Sequence, residues 1–261
     1  MPAGRPVLDI NADVGERADD DAAADFDLIA VISSANVACG GHAGSDVTML
    51  QVCRVASEHG VAIGAQVSYV DREGFGRRRL DVTADVLSGQ VRDQVEALRA
   101  HAAQAGAAVE YLKPHGALYH AAADDPAVAR AVLAGIEDIG MPVLTRPGGE
   151  LAVAAVAAGL PVYAEAFADR GYAADGRLVP RDHPAALVSD PRAVSARVRH
   201  LVEHGIITSV DGVAVPVRPD SLCVHSDTPG ALAIAQAARA ALESLGVAVE
   251  PFAGPAAEAP R

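Results

Sequence analysis

Short β-branched and apolar runs alternate with helical patterns along the length of this chain, and that rhythm restricts the fold more than any other feature. Strand, helix and strand in repeated succession is the sign of parallel strands joined by crossover helices. Strands are expected near Val7–Ala12, Ser34–Ala38, Val61–Val67, Val109–Lys113, Pro142–Thr145, Pro161–Ala166 and Ser221–His225, with one more short run at Val247–Val249. Helices are expected near Asp25–Ile32, Asp46–His59, Thr83–Ala105, Pro126–Ile139, Glu150–Ala158, Pro191–His204 and Pro229–Leu245. The ends are punctuated. Asp190–Pro191 and Thr228–Pro229 read as an N-cap followed by proline in the first turn, and Gly60, Gly106, Gly140, Gly159, Gly205 and Gly246 fall where C-terminal caps belong.

A 261-residue chain with this rhythm suits one (β/α) barrel, for which ~250 residues is typical. Residues 1–253 are therefore read as a single barrel domain and the Ala/Pro-rich stretch 254–261 as a disordered tail. Two stretches break the rhythm. Arg170–Ser189 is a long polar connection, the length of a functional lid over the barrel mouth. Thr208–Val215 holds Asp211–Gly212 between β-branched residues, a hairpin inserted outside the barrel.

Composition excludes several partners. A net charge of −13 repels phosphate polyanions, and 3% aromatic residues with no Trp leave little for base stacking, so nucleic acid is not an expected partner. The apolar stretch Leu151–Ala164 is broken by Gly159 and Pro161 and is too short to span a bilayer, and no basic region with an apolar run opens the chain, so neither membrane nor secretion is expected. Cys39, Cys53 and Cys223 are odd in number and lack metal spacing, which points to the reducing cytoplasm and against a structural zinc site.

The strand list becomes informative when polar residues are laid on it. Asp13 and Glu16 follow the first strand, Asn36 and His42 the second, and Gln66, Ser68 and Tyr69 close the third. Lys113 and His115 end the fourth, with Gly116 allowing a tight turn after them; Glu165, Asp169 and Arg170 end the sixth, and His225 and Asp227 the seventh. In a parallel barrel these carboxyl ends share one face, where active sites are built. A single such residue is ordinarily a cap, as Asp227 before Thr228–Pro229 would be, but six clusters on one face are not explained by capping. Lys113 stands out as the only lysine beside 20 arginines, and an ammonium is a compact charge that a planar guanidinium does not replace. No phosphate-binding GxxxxGK[ST] loop is present.

Seven blocks, DINADVGE at 9–16, SANVACGGHAG at 34–44, GFGRR at 74–78, KPHGALY at 113–119, EAFADR at 165–170, LVPR at 178–181 and VHSDTPGA at 224–231, resemble the LamB/YcsF family in order from about residue 7 to residue 250. That family comprises the A subunits of bacterial 5-oxoprolinase. The resemblance implies an α/β fold, a distorted (β/α) barrel of about seven parallel strands related to the glycoside hydrolase/deacetylase superfamily. It further implies ATP-dependent opening of the lactam of 5-oxo-L-proline to L-glutamate, with Mg and with B and C subunits. The chain departs from the family pattern at Gln66, where the family has histidine, at Ser45 for Asp, and at Ser226 within VHSD. The lost imidazole argues against a full histidine metal cluster, so no metal ligands are assigned.

On that reading Asp13 or Asp227 is the general base, His115 or His225 moves the proton to the leaving nitrogen, and Lys113 neutralises charge on the lactam oxygen or phosphate. Substrate contacts are expected from Asn11, Glu16, Asn36, His42, Gln66, Glu165, Asp169, Arg170 and Arg181, with Arg170 or Arg181 on the substrate carboxylate. The competing readings are a metal-dependent amidase or deacetylase using Asp13, His42 and His115 as ligands, and a non-catalytic subunit that delivers the small molecule.

Overall fold

The structure is a computed structural model describing residues 5–17 and 23–254. Apart from Gly254, the expected tail at 254–261 lies outside the described residues. Strands β1 (Asp9–Val14), β2 (Ser34–Ala38), β3 (Ala62–Val67), β4 (Val109–Pro114), β5 (Val143–Thr145) and β6 (Val162–Phe167) pair in sequence order. A hairpin of β7 (Ile206–Thr208) and β8 (Ala214–Pro216) stands apart, and β9 (Ser221–Val224) closes the sheet between β6 and β1. All seven barrel strands run parallel. The crossovers carry α1 (Ala23–Ile29), α2 (Asp46–His59), α3 (Ala84–Gln104), α4 (Gly116–Asp124), α5 (Pro126–Ala134), α6 (Glu150–Ala157), α7 (Pro191–His204) and α8 (Ala231–Ser244). Closure gathers every strand's carboxyl end at one mouth. No described helix is long and apolar enough to cross a membrane.

Two-residue alternation along β1 sorts its side chains. Ile10, Ala12 and Val14 join the apolar core shared with the helices. Asp9, Asn11 and Asp13 face the other way, into a barrel interior that is polar where branched apolar side chains are usual. At its floor Asp9 accepts hydrogen bonds from the hydroxyls of Ser33, Ser34 and Ser221. One layer up, the Asn11 amide donates to Ser221 Oγ and the Asn36 amide to Asn11 Oδ1, while the Tyr111 hydroxyl donates to Asn36 Oδ1. Reciprocal bonding is what makes such an interior tolerable, because an unmatched buried polar group costs about 1–3 kcal/mol. Burial still pushes the Asp9 carboxyl from 3.8 up to about 6, against the lowering effect of the three hydroxyls.

Several expectations need correction. A helix, α4, follows Lys113-Pro-His, where the sequence predicts only a tight turn at Gly116; Asp125 ends α4 and then caps α5 through the Ala127 N–H. Helix α5 stops at Ala134, well before Ile139, and Val247–Val249 contributes only an isolated bridge from Ala248 to Val7. Thr228–Pro229 does not open α8, whose N-cap is Gly230 at φ 80°; Asp190–Pro191 opens α7 as expected. The connection Arg170–Ser189 is folded on itself. Bridges Arg170–Leu187 and Tyr172–Leu178 and backbone bonds such as Gly171 to Ala186 make it an ordered strap.

Candidate active site

A chamber of about 400 Å³ opens at the mouth, walled by Asp13, Lys113, His115, Phe167 and His225 from strand ends and by Arg77, Arg170 and Arg181 from the loops above. Lys113 stands at its base. Alternation along β4 turns Lys113 inward beside Tyr111, and Pro114 ends the strand. The ammonium donates to Asn11 Oδ1 at 3.0 Å and Asp13 Oδ1 at 3.1 Å, and Glu165 Oε1 lies 2.7 Å from it. The Cys223 sulfur is 3.3 Å away. All of these side chains are buried. Burial alone would favour neutral lysine, but Asp13, Cys223 and Glu165 together hold its pKa well above the ordinary lysine range. The same ammonium, helped by the Asn36 amide, outweighs burial at Asp13 and keeps that carboxyl well below the usual range. A carboxylate of such low proton affinity is a weak general base.

His225 is arranged otherwise. Asp169 Oδ1 lies 3.0 Å from His225 Nδ1, while Oδ2 accepts from the His225 backbone N–H and the Thr228 hydroxyl. With Asp169 ionised, Nδ1 carries a proton, and when the ring is neutral Nε2 is the acceptor beside the chamber. Burial raises the Asp169 pKa, but His225, Thr228 and backbone bonding lower it further. Phe167 stacks on the imidazole at 5.4 Å and fixes its plane.

A third group lies beside them. Glu16 Oε1 is 3.0 Å from His42 Nε2 and 3.5 Å from His115 Nε2, and the two imidazoles stack at 3.8 Å. Gln66 donates its amide to the same Glu16 oxygen, and Ser68 holds His42 Nδ1. Burial and His42 depress His115, which is therefore a neutral imidazole. The three ligand atoms lie close enough to share one ion, and two imidazoles with one carboxylate suit zinc. The metal-capable set is thus Glu16, His42 and His115, in place of the expected Asp13, His42 and His115, and Gln66 supports it from behind. His115 Nδ1 is buried with no hydrogen-bond partner.

The loop after β3 packs against this pair. Phe75 meets His42 and His115 edge-on at 5.3 and 5.7 Å and, at φ 54°, is the only described non-glycine residue with positive φ. Gly76, at φ 65°, lies so near that an added Cβ would sit 2.9 Å from His42 Cβ and 3.1 Å from His115 Nδ1. At the rim Arg77 and Arg181 both reach Asp227 Oδ2. Arg170 instead braces the strap, donating from Nε to the Ala186 carbonyl and from Nη2 to the Val179 carbonyl.

The structure brings Asp13, Lys113, His115, His225, Arg170 and Arg181 to one chamber, with Glu165 and Glu16 bonded to its walls. Asn11 and Asn36 lie in the layer beneath, their amides committed to neighbours. Asp169 is fully buried behind His225, and His42 and Gln66 stand behind Glu16, so these three position other groups. Asp227 is held by two arginines. Sequence reasoning misses Ser33, Ser34, Tyr111, Ser221 and Cys223 as partners of the site, and the polar alternation Asp9, Asn11, Asp13 is the signal that β1 turns polar groups inward. It also misses Arg77 and Phe75 as site residues, although both lie in the block GFGRR.

The family profile of LamB/YcsF matches residues 8–257. A Streptomyces coelicolor protein that carries the name of the 5-oxoprolinase A component is 50% identical over 255 residues, 95% of this chain and 100% of that protein. The crystal structure of a lactam utilization protein from Thermus thermophilus superposes with a TM-score of 0.85 at 38% identity, over 94% of this chain and 100% of that one. A family 4 carbohydrate esterase from Streptomyces lividans shares the fold alone, with a TM-score of 0.50 at 10% identity over 96% and 94% of the two chains.

Proposed function

This chain belongs to the LamB/YcsF family, and we propose that it is the A component of an ATP-dependent 5-oxoprolinase, opening the lactam of 5-oxo-L-proline to L-glutamate with B and C subunits. The observation that carries the reading is one chamber holding a buried ammonium, an Asp169-backed imidazole and rim arginines, in a chain half identical to a protein of that name. In the reaction, water attacks the carbon of the phosphorylated lactam, negative charge stays on the oxygen and its phosphate, and the ring nitrogen leaves as an amine. Lys113 faces that charge with a compact ammonium held ready by Asp13 and Glu165. His225 Nε2 takes the proton of water and returns it to the nitrogen, while Asp169 stabilises the imidazolium formed between the two transfers. Arg181 holds the substrate carboxylate. ATP is needed because an unactivated lactam is a poor electrophile; transfer of its γ-phosphoryl group to the lactam oxygen, with Mg and release of ADP, activates the ring carbon, and the acyl phosphate left when the nitrogen departs is hydrolysed by a second water to glutamate and phosphate. The sequence has no recognisable phosphate-binding loop, so the nucleotide is assigned to the assembled complex. Three described cysteines, all unpaired, support a cytoplasmic setting.

A second reading has its own observation, the Glu16–His42–His115 cluster. An ion there would supply Lewis-acid polarisation and an activated water, the chemistry of a metal-dependent amidase. A non-catalytic subunit that delivers the lactam to its partners is the third reading. Glutamate release from 5-oxoproline, assayed with and without ATP, Mg and the B and C subunits, tests all three. Release that requires ATP and partners supports the proposal; ATP-independent release by tag-free protein containing stoichiometric metal supports the amidase. Complexes that remain fully active with His225→Ala in this chain would leave it the delivery role.

A further inference from the structure

The rim of the chamber holds an arrangement that the chemistry above uses only through Arg181. Arg77, from the loop after β3, and Arg181, from the strap after β6, converge on a single oxygen of Asp227, which sits on the loop after β9. We infer that Arg77 and Arg181 form a two-guanidinium clamp for the substrate carboxylate, and that Asp227 is a placeholder carboxylate which the substrate displaces. The inference rests on the lactam reading and deepens it.

Four observations carry it. Both arginines line the chamber, whereas Arg170, the other strap arginine, has Nε and Nη2 committed to backbone carbonyls and is not free to turn to a ligand. The side chains of Arg77, Asp227 and Arg181 are 39%, 29% and 33% exposed, and an ion pair this open to water contributes little to stability, so exchanging one carboxylate for another is easy. The Arg77 guanidinium lies 4.8 Å over the Phe75 ring, and Phe75 is the residue held at positive φ, so backbone strain in this loop is tied to the aim of Arg77. Finally, Lys113 is already neutralised by Asp13 and Glu165, both buried, whereas Arg77 and Arg181 share one exposed carboxylate, so two guanidinium charges meet a single negative charge at the rim. That surplus attracts anions. The lactam ring is neutral, so the carboxylate is the one charged group by which this wall can tell 5-oxoproline from any other small lactam. Asp227 accordingly occupies the place between the two arginines that the substrate carboxylate takes.

Calorimetric titration of the full-length chain with three probes tests the clamp. These are 5-oxo-L-proline, pyrrolidin-2-one, which lacks the carboxylate, and cyclopentanecarboxylate, which lacks the lactam. Arg77→Met and Arg181→Met should each weaken 5-oxoproline by about 10- to 100-fold and shrink its advantage over pyrrolidin-2-one, the loss expected for a charge-assisted bond. Arg77→Lys should fall between. Asp227→Asn should bind 5-oxoproline about 3- to 10-fold more tightly, because the internal competitor is gone, and in the reconstituted complex it should lower KM. Thermal melts confirm that each variant is folded. A folded Asp227→Asn that binds 5-oxoproline no better, or a folded Arg77→Met that keeps the full preference, overturns the clamp. The probes separate the two readings: lactams binding regardless of Arg77 remove the clamp and keep the lactam site. Equal, Arg77-dependent binding of both carboxylates keeps the clamp and removes the lactam, and failure of all three to bind removes both.

Discussion

Replacing Lys113 by methionine is the perturbation whose size the structure predicts best. A surface lysine would be lost without consequence, but here the ammonium is the shared counter-ion of Asp13 and Glu165, 3.1 and 2.7 Å away, in the buried base of the chamber. Methionine matches the stem in length and leaves two buried carboxylates without it. Removing one partner of a buried ion pair costs about 3–5 kcal/mol, and a chain of this size loses about 2–4 °C of Tm per kcal/mol, so the melting point should fall by roughly 6–20 °C near pH 8. The sign of the pH dependence follows. Without the ammonium, burial is left to raise the Asp13 carboxyl above its unfolded value, so the deficit is full at high pH and shrinks as pH falls and that carboxyl protonates. Melts of wild type and Lys113→Met from pH 5 to 8 measure it. The double variant Lys113→Met/Glu165→Gln, with one carboxylate neutralised, should recover about 1–3 kcal/mol of the loss. Lys113→Arg, which must fit a wider group between Asn11 and Cys223, should cost about 1–3 kcal/mol by overpacking. A pH-independent deficit, or a Tm for Lys113→Met within about 2 °C of wild type at pH 8, would refute the account.

Asp9 carries the opposite signature to Asp13. Its folded pKa of about 6 exceeds the reference 3.8, so wild type should lose about 3 kcal/mol of stability as pH rises from about 4 through 6, and Asp9→Asn should remove most of that slope in urea melts at successive pH values. An unchanged slope would mean the carboxyl is not buried as described. Gly76→Ala forces a Cβ against His42 and His115 in a left-handed backbone, and should cost about 2 kcal/mol or more, read by melts; on the metal-amidase reading it should also weaken zinc binding in a zinc titration. The strap is pinned by Arg170, so Arg170→Met should make Arg170–Ser189 the first site of proteolytic nicking; an unchanged digestion pattern would assign the brace elsewhere.

The alternating pattern determined the α/β barrel, because each amphipathic crossover helix must bury its apolar stripe on a sheet whose strands then run parallel. Strand ends were legible too, and with them the face on which Asp13, Lys113, His115 and His225 meet. Glycines after the helices were readable because few other residues accept the left-handed conformation at a C-cap; Gly60 and Gly205 hold it at φ 67° and 68°. Helix α4 was not legible, since its nine residues are stabilised by packing more than by local signals. Partnership was decided only by closure. Asp9 sits 212 positions from Ser221 in sequence, Lys113 110 from Cys223 and Arg77 150 from Asp227, and no local pattern encodes which of them touch. Proton affinity was decided there as well. Asp9 and Asp13 are the same side chain four residues apart on one strand, yet a ring of hydroxyls leaves the first raised by burial while an ammonium holds the second ionised. The sequence supplied the chemical groups and the face they share; the charge each one carries depends on distances that exist only once β9 has paired with β1 and β6.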